Sequence, residues 1–463
     1  MITMKSNEIN MAHGPLLKKL ISLSLPIIFI GILQTLYTSA DMVVVGRFAG
    51  SDPLAAVGAT NPLINICVGA FLGISTGAGI VAAQFYGAKQ EKDMRNTVHT
   101  SIALGIVCGF ILTVIGIILT PVLLKTFNTP ENVLHLSVTY MRIYFLGSIP
   151  SLIYNFGSAV LRAIGDTKIS LIFLTISGIV NVIFNLIFVI GFKMGVVGVA
   201  AATVISQVIS AVLIVVYMLR LKNWCRLVPK DIKIKRRYLT KILYVGIPSA
   251  LQSVVFSLSN SVIQSAINSF GSTILAGNTA ASNIEAFTYF TMNGIATASA
   301  TASGQITGAG DAKRIDKLLI TSTLFVSACG IFISFLLYTF GPQLLGIYTS
   351  DPLAIKAGLS RMSIIMLTYF MCGIMEVTVC VLRGMGNAVL PMISSIVGSC
   401  LLRVIWVKTI FKAFPTLTVL YSCYPITWLV IIVTNFIFFM VVRRKFRMRL
   451  EMKNQSLSNL QSL

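Results

Sequence analysis

Apolar runs of about 20 residues or more, parted by short polar and basic stretches, recur along the whole chain. A helix needs about 20 apolar residues to cross a bilayer, whereas barrel strands would alternate over about 9–11 residues. The pattern predicts twelve helical spans, at roughly 16–48, 54–84, 97–121, 134–161, 170–192, 197–219, 241–270, 275–306, 318–341, 354–382, 392–411 and 421–442. The first run follows Lys18 and Lys19, continues past 20 residues and has no A-x-A cleavage site. It reads as a retained helix rather than a signal peptide. An even number of spans puts both termini on one side.

Composition agrees with this pattern. The hydrophobic fraction is 56% and the charged fraction 11%, against about 45–50% and about 25% in soluble domains. The net charge of +22 would suggest nucleic acid in a soluble protein. Here it collects in loops. Of the 36 Lys and Arg, 27 fall on the side that carries the termini and six on the other, with Arg142, Arg361 and Arg403 inside spans. The positive-inside rule makes the richer side cytoplasmic. The longest polar loop, "RLKNWCRLVPKDIKIKRR" (Arg220–Arg237), lies at mid-chain and reads as a connector near anionic headgroups. The domains expected are an N-lobe at 1–219, a cytoplasmic basic linker at 220–240, a C-lobe at 241–442 and a cytoplasmic basic tail at 443–463.

The halves repeat. "AAQFYGAKQEK" (Ala82–Lys92) answers "ASGQITGAGDAK" (Ala302–Lys313), and "VLRAIGD" (Val160–Asp166) answers "VLRGMGN" (Val381–Asn387), both at an offset of 221; Pro26 answers Pro248 at 222. Six spans per repeat give the repeats the same orientation. The fold class is an all-α polytopic membrane protein, with twelve transmembrane helices in two six-helix lobes related by a pseudo-twofold axis along the membrane normal. That is the architecture of a transporter rocking two bundles about a central cavity. The matched glycines of the Arg-x-x-Gly loops suit tight turns.

Three of fourteen acids lie deep in spans: Asp41, Glu285 and Glu376. An intramembrane acid normally faces a cavity or a partner. Gln34, Tyr37 and Asp41 share one face of the first helix by spacing, and Pro26 upstream marks a bend. Burial disfavours the charged form, so a proton or a sodium ion could neutralise Asp41. Asn181 and Asn185 stand at i, i+4 in the fifth span and Thr203 lies in the sixth. With Asp41 they offer oxygens to a small cation, or form an interhelical hydrogen-bond network without one. In the second half, Arg403 could pair with Glu285 or Glu376. Alternatively a cationic substrate meets those acids among Phe287, Tyr289, Phe290, Met292, Tyr369 and Met375.

The eight cysteines show no paired spacing and the three histidines are scattered, so neither a disulfide framework nor a metal cluster is expected. There is no P-loop, no HExxH and no G-x-S-x-G. No cofactor is expected, and energy would come from an ion gradient.

The Pro26 helix with Asp41, "GSDPLAAVG" (Gly50–Gly58), "AAQFYGAKQ", "LRAIGDTK", "NVIFN" and "LRGMGN" resemble the multidrug and toxic compound extrusion (MATE) family, in the flavour of its DinF-like bacterial branch. The resemblance spans essentially the whole chain. It implies two lobes around a V-shaped cavity, and export of organic cations and other amphipathic drugs in exchange for H⁺ or Na⁺. Asp41 matches the family's first-helix acid, and Asn181 and Thr203 match polar residues grouped with it. Asn185 departs, since many members carry Asp there. Phe256 stands where another branch carries a cation-linked Glu.

The resulting expectation is an ion-coupled antiporter. Asp41, Asn181, Asn185 and Thr203 would bind H⁺ or Na⁺, with Pro26, Gln34 and Tyr37 as cavity and switch. Glu285, Glu376, Tyr289, Met292 and Arg403 are the C-lobe candidates for substrate or cation. The partners expected are small amphipathic molecules and the lipid bilayer, with no nucleic acid and a monomeric state. The place expected is a bacterial inner (plasma) membrane, with both termini cytoplasmic. A lipid-linked saccharide flippase of the same superfamily is the nearest alternative, and a membrane-embedded receptor or enzyme without transport the other.

Overall fold

The computed structural model describes residues 8–127 and 129–461. Lys5, counted above among the basic loop residues, and the last two residues of the tail lie outside them. The described residues are almost entirely helical and contain no strand. The helices are α1 (Leu16–Phe48), α2 (Ser51–Gly87), α3 (Glu91–Thr126), α4 (Glu131–Leu146), α5 (Ser148–Ala163), α6 (Thr167–Asn185), α7 (Gly195–Arg220), α8 (Arg236–Asn268) and α9 (Ser272–Ala309). They continue with α10 (Ala312–Thr339), α11 (Gly341–Tyr348), α12 (Pro352–Gly384), α13 (Val389–Ser395), α14 (Leu402–Lys408), α15 (Ile410–Ala413) and α16 (Leu417–Gln461).

Ten spans among the described residues are long and apolar enough to cross a membrane. The chain is a multi-pass membrane protein. The fourth expected span is not one straight helix: α4 and α5 meet at Gly147 with a bend of 48°, and together make an eleventh. The eighth expected span, α9, runs for 38 residues but is too rich in Ser, Thr, Asn and Gly to count by hydropathy. Its small buried residues, Gly277, Ala280, Ala281, Ser299 and Ser303 among them, allow the close approach that holds membrane helices together without a hydrophobic driving force.

Two compact units divide the chain. The first takes residues up to Ile9, Phe29–Tyr86 and Gln90–Ala250; the second takes Asn10–Ile28, Gly87–Lys89 and Leu251–Leu463. Two helices change unit partway, and each does so two residues after its proline, Pro26 in α1 and Pro248 in α8. A proline removes one intrahelical hydrogen bond and crowds the preceding turn, so the helix is weakest there.

The division therefore falls later than the basic stretch at 220–240, which packs within the first unit. Leu221, Cys225, Leu227 and Tyr238 are buried. The Val228 amide donates to His99 Nε2 at 3.0 Å, and the Tyr238 hydroxyl donates to Asp93 at 2.7 Å. A basic loop whose apolar residues have somewhere to go folds down rather than spanning freely.

The repeat is visible in backbone geometry. Gly165 and Gly386, related by the 221 offset, have φ of 88° and 86°, left-handed values that glycine adopts without strain. Each closes the turn after its Arg-x-x-Gly helix end. Lys89 and Gly310, related by the same offset, are also left-handed, at 55° and 76°. Two single-turn π segments interrupt regular helix. Leu186–Gly191 follows Asn185, and Ile396–Leu401 precedes α14, which carries Arg403. Such turns mark functional positions more often than chance.

Candidate functional site

The first unit brings Asp41, Asn181, Asn185 and Thr203 together. Asn185 Nδ2 donates to Asp41 Oδ1 and lies 3.3 Å from Asn181 Oδ1; Asn181 Nδ2 reaches Thr203 Oγ1 at 3.5 Å. The i, i+4 spacing on α6 puts both carboxamides on the side facing α1 and α7. Asn185 is fully buried and Asn181 nearly so, while Asp41 is half-buried. Among the described residues no basic group pairs with Asp41. A carboxylate has about four acceptor positions, and one amide donor meets few of them. Asn185 Oδ1 is buried without a hydrogen-bond partner, although an unpaired buried oxygen is costly. The cluster thus holds one acid, two carboxamide oxygens and a hydroxyl. These hard oxygen donors fit a sodium ion, and the acid alone fits a proton.

The switch residues fare differently. Tyr37 sits against α6. Its hydroxyl donates to the Thr175 carbonyl at 3.4 Å, and a Cβ on Gly178 would stand 1.8 Å from its ring. Only a glycine at 178 lets the ring lie there. Gln34 is exposed, and its side chain is no member of the hydrogen-bonded chain. The α4 residues Tyr140 and Tyr144 lie within electrostatic range of Asp41 and are absent from the expected site. Their i, i+4 spacing on α4 was the available signal.

The second unit corrects three expectations. Glu285 pairs with Arg361, not with Arg403. Arg361 Nε and Nη2 bind the two carboxylate oxygens at 2.9 and 2.7 Å, and its Nη1 binds Asn278 Oδ1 at 2.8 Å. Both partners are buried. An acid met by a guanidinium in this forked geometry has no charge left for a cationic substrate. Arg403 pairs with neither glutamate. Its Nη1 donates to Asn260 Oδ1 at 3.0 Å and lies 3.4 Å from Ser259 Oγ, and its guanidinium stacks 4.5 Å from the Tyr424 ring. Met292 is fully buried with its sulfur close over Gly373, so it fills core space. Glu376 and Tyr289 remain together. Glu376 is half-buried and makes no ion pair among the described residues, and Tyr289, 38% exposed, lies within electrostatic range of it.

The described residues contain no group of three or more His, Cys, Asp or Glu able to hold a metal ion. The eight cysteines are all free.

The MatE family model matches residues 26–187 and 248–407. The two matches begin at Pro26 and Pro248, the residues that anchor the internal repeat. The chain is 26% identical to "Probable multidrug resistance protein YoeA" of Bacillus subtilis, over 80% of this chain and 82% of that protein. It is 29% identical to "Probable multidrug resistance protein NorM" of Thermotoga maritima, over 86% and 85%. A solved structure described as the outward-facing conformation of a multidrug resistance MATE family transporter superposes with a TM-score of 0.84. It covers 98% of this chain and 100% of that one at 21% identity, which shows a shared fold.

Proposed function

We propose a function from one premise: the chain belongs to the MatE family. It is a transporter rather than an enzyme. Its task is secondary active export of amphipathic, cationic organic compounds in exchange for H⁺ or Na⁺. The names of the relatives, multidrug resistance proteins, support the substrate class.

The observation that carries the coupling is the environment of Asp41. Among the described residues, a carboxylate inside the membrane is met only by the Asn185 amide, with an unpartnered Asn185 oxygen beside it. Such an acid gains most from a small cation, because nothing in the cluster neutralises it. Asn181 and Thr203 extend the oxygen set. Tyr37 ties the same face of α1 to α6, so a change of charge at Asp41 acts on the contact that holds α1. The position two residues past Pro26, where α1 passes from one unit to the other, is the natural place for the helix to bend in response.

Both termini are cytoplasmic in this reading, from the loop charges, and the chain acts as a monomer. The test is export of an organic cation from proteoliposomes carrying first a pH gradient and then a Na⁺ gradient. The reading requires export driven by one of them and lost in Asp41→Asn. Undiminished gradient-driven export by that variant would sink it.

A further inference from the structure

Arg403 is 1% exposed and heads the largest fully buried side chains among the described residues. It lies inside a membrane span and forms no ion pair among the described residues. Glu285 is held at both oxygens by Arg361, and Glu376 makes no ion pair with Arg403. A buried cation without a counter-charge is costly. The face of Tyr424 at 4.5 Å and that of Phe256 at 5.9 Å offset part of that cost, since aromatic faces carry partial negative charge. They leave the hydrogen-bond donors unmet. Nε is buried without any partner, and Nη2 makes no hydrogen bond among the described residues.

A second unmet donor stands four residues earlier in the chain. Ser399, one turn earlier in the π segment, has a buried hydroxyl with no partner. The two positions are tied in space through Ser259. Its hydroxyl donates to the Ser399 carbonyl and lies 3.4 Å from Arg403 Nη1. Asn260 spends its carbonyl oxygen on Arg403, which leaves its amide hydrogens for another acceptor. One positive charge and several donors are therefore gathered where, among the described residues, the protein supplies acceptors only to Arg403 Nη1, from Asn260 Oδ1 and, at 3.4 Å, Ser259 Oγ.

The same two helices, one turn further on, line a cleft of about 740 Å³. Val262 and Ser265 of α8 face Val407 of α14 and Phe411 of α15 there, and the only charged groups among the lining residues are Lys408 and Lys412. Its walls suit an apolar body and its charges suit an anion.

We propose that the second unit holds a site for a single negative charge, a halide or the carboxylate of an amphipathic compound, formed by Arg403, Ser399 and Asn260 and approached through the lysine-edged cleft. Binding there is an equilibrium property and does not depend on ion coupling at Asp41.

The test uses the purified full-length protein in detergent, titrated at constant ionic strength with sodium bromide or sodium octanoate in place of gluconate. Melting temperature is the readout. The site requires a saturable rise with at least one of the two probes. A bromide response alone assigns it to a free halide, and a stronger octanoate response to a carboxylate-bearing compound. Ser399→Ala removes a hydroxyl that bonds nothing, so it should melt normally in gluconate yet need roughly tenfold more anion, the loss expected for one charge-assisted hydrogen bond. Arg403→Gln should remove the response, and Asp41→Asn should keep it. No response from the wild type to either probe, or an unchanged titration in Ser399→Ala, overturns the proposal.

Discussion

Asp41 in the first unit and Glu285 in the second are both acids inside membrane spans, yet their surroundings differ in kind. Glu285 meets a guanidinium at both oxygens, and the same arginine is braced by Asn278 and by the rings of Tyr421 and Tyr424. Asp41 meets one carboxamide. The first arrangement is closed: its charges cancel and each guanidinium nitrogen donates a hydrogen bond. The second is open, with an acid that no basic group pairs among the described residues and a spare oxygen. A charge that is already paired can stiffen a bundle but cannot report on an ion. An unpaired one is costly to keep and therefore responds to whatever cation arrives.

The comparison can be broken most sharply at its open end. Asp41→Asn should abolish gradient-driven export while the melting temperature changes little, because an amide fits the same space and keeps a bond to Asn185. Transport in proteoliposomes and melting curves on the same preparation check both halves. At the closed end the outcome should invert. Arg361→Met leaves Glu285 buried and alone, at a cost of about 3–5 kcal/mol. Adding Glu285→Gln to Arg361→Met should recover much of that loss. Melting curves of the single and double variants decide it, and a single variant as stable as the wild type would show that the pair is not closed.

A third acid, Asp166, sharpens the comparison from outside the spans. It sits in the turn between α5 and α6, nearly fully buried, and accepts a hydrogen bond from Tyr217 at 2.7 Å. Burial is the main influence on it and pushes its carboxyl above the ordinary carboxylate range, while the Tyr217 hydroxyl pulls the other way. With the folded value raised above the unfolded one, this group's contribution to stability is fully present in acid. It is lost as pH climbs past the ordinary value of about 3.9 and through the raised one. Tyr217→Phe removes the donor that favours the charged form. The variant should lose about 1.5–3 kcal/mol at neutral pH and progressively less in acid, measured as melting temperature against pH. A loss independent of pH would place the effect in packing instead.

The smallest expected effect tests the support behind Asp41. Gly178→Ala puts a methyl into the Tyr37 ring, so the ring must move. Overpacking of this kind costs about 1–3 kcal/mol. Export should fall only in part, with the apparent affinity for the coupling ion affected more than the maximal rate, if Tyr37 transmits the state of Asp41. Unaltered transport in a variant of lowered stability would confine Tyr37 to packing.

Much of this was legible beforehand. Bilayer thickness converts apolar run length into spans, and the loop charges divide cleanly, so the helical class needed no tertiary information. The i, i+4 spacing of Asn181 and Asn185 already put them on one face, and the cost of burying Asp41 already called for partners. The partner of Glu285 was not legible. Arg361 is 76 residues away in sequence, and no local pattern ranks it above Arg403. The bend at Gly147 and the early expectation for Met292 fall in the same class. Hydropathy does not register a 48° change of direction, and a methionine in a small-residue helix looks the same whether it lines a cavity or fills the hollow over Gly373.

Sequence by itself determined the membrane habit, the two-fold repeat and the single acid of the first helix, because each rests on local spacing and on the price of polar atoms in hydrocarbon. Tertiary structure alone decided which charges are cancelled. Ion pairing depends on side chains converging within about 4 Å from distant helices, and chain distance carries no record of that.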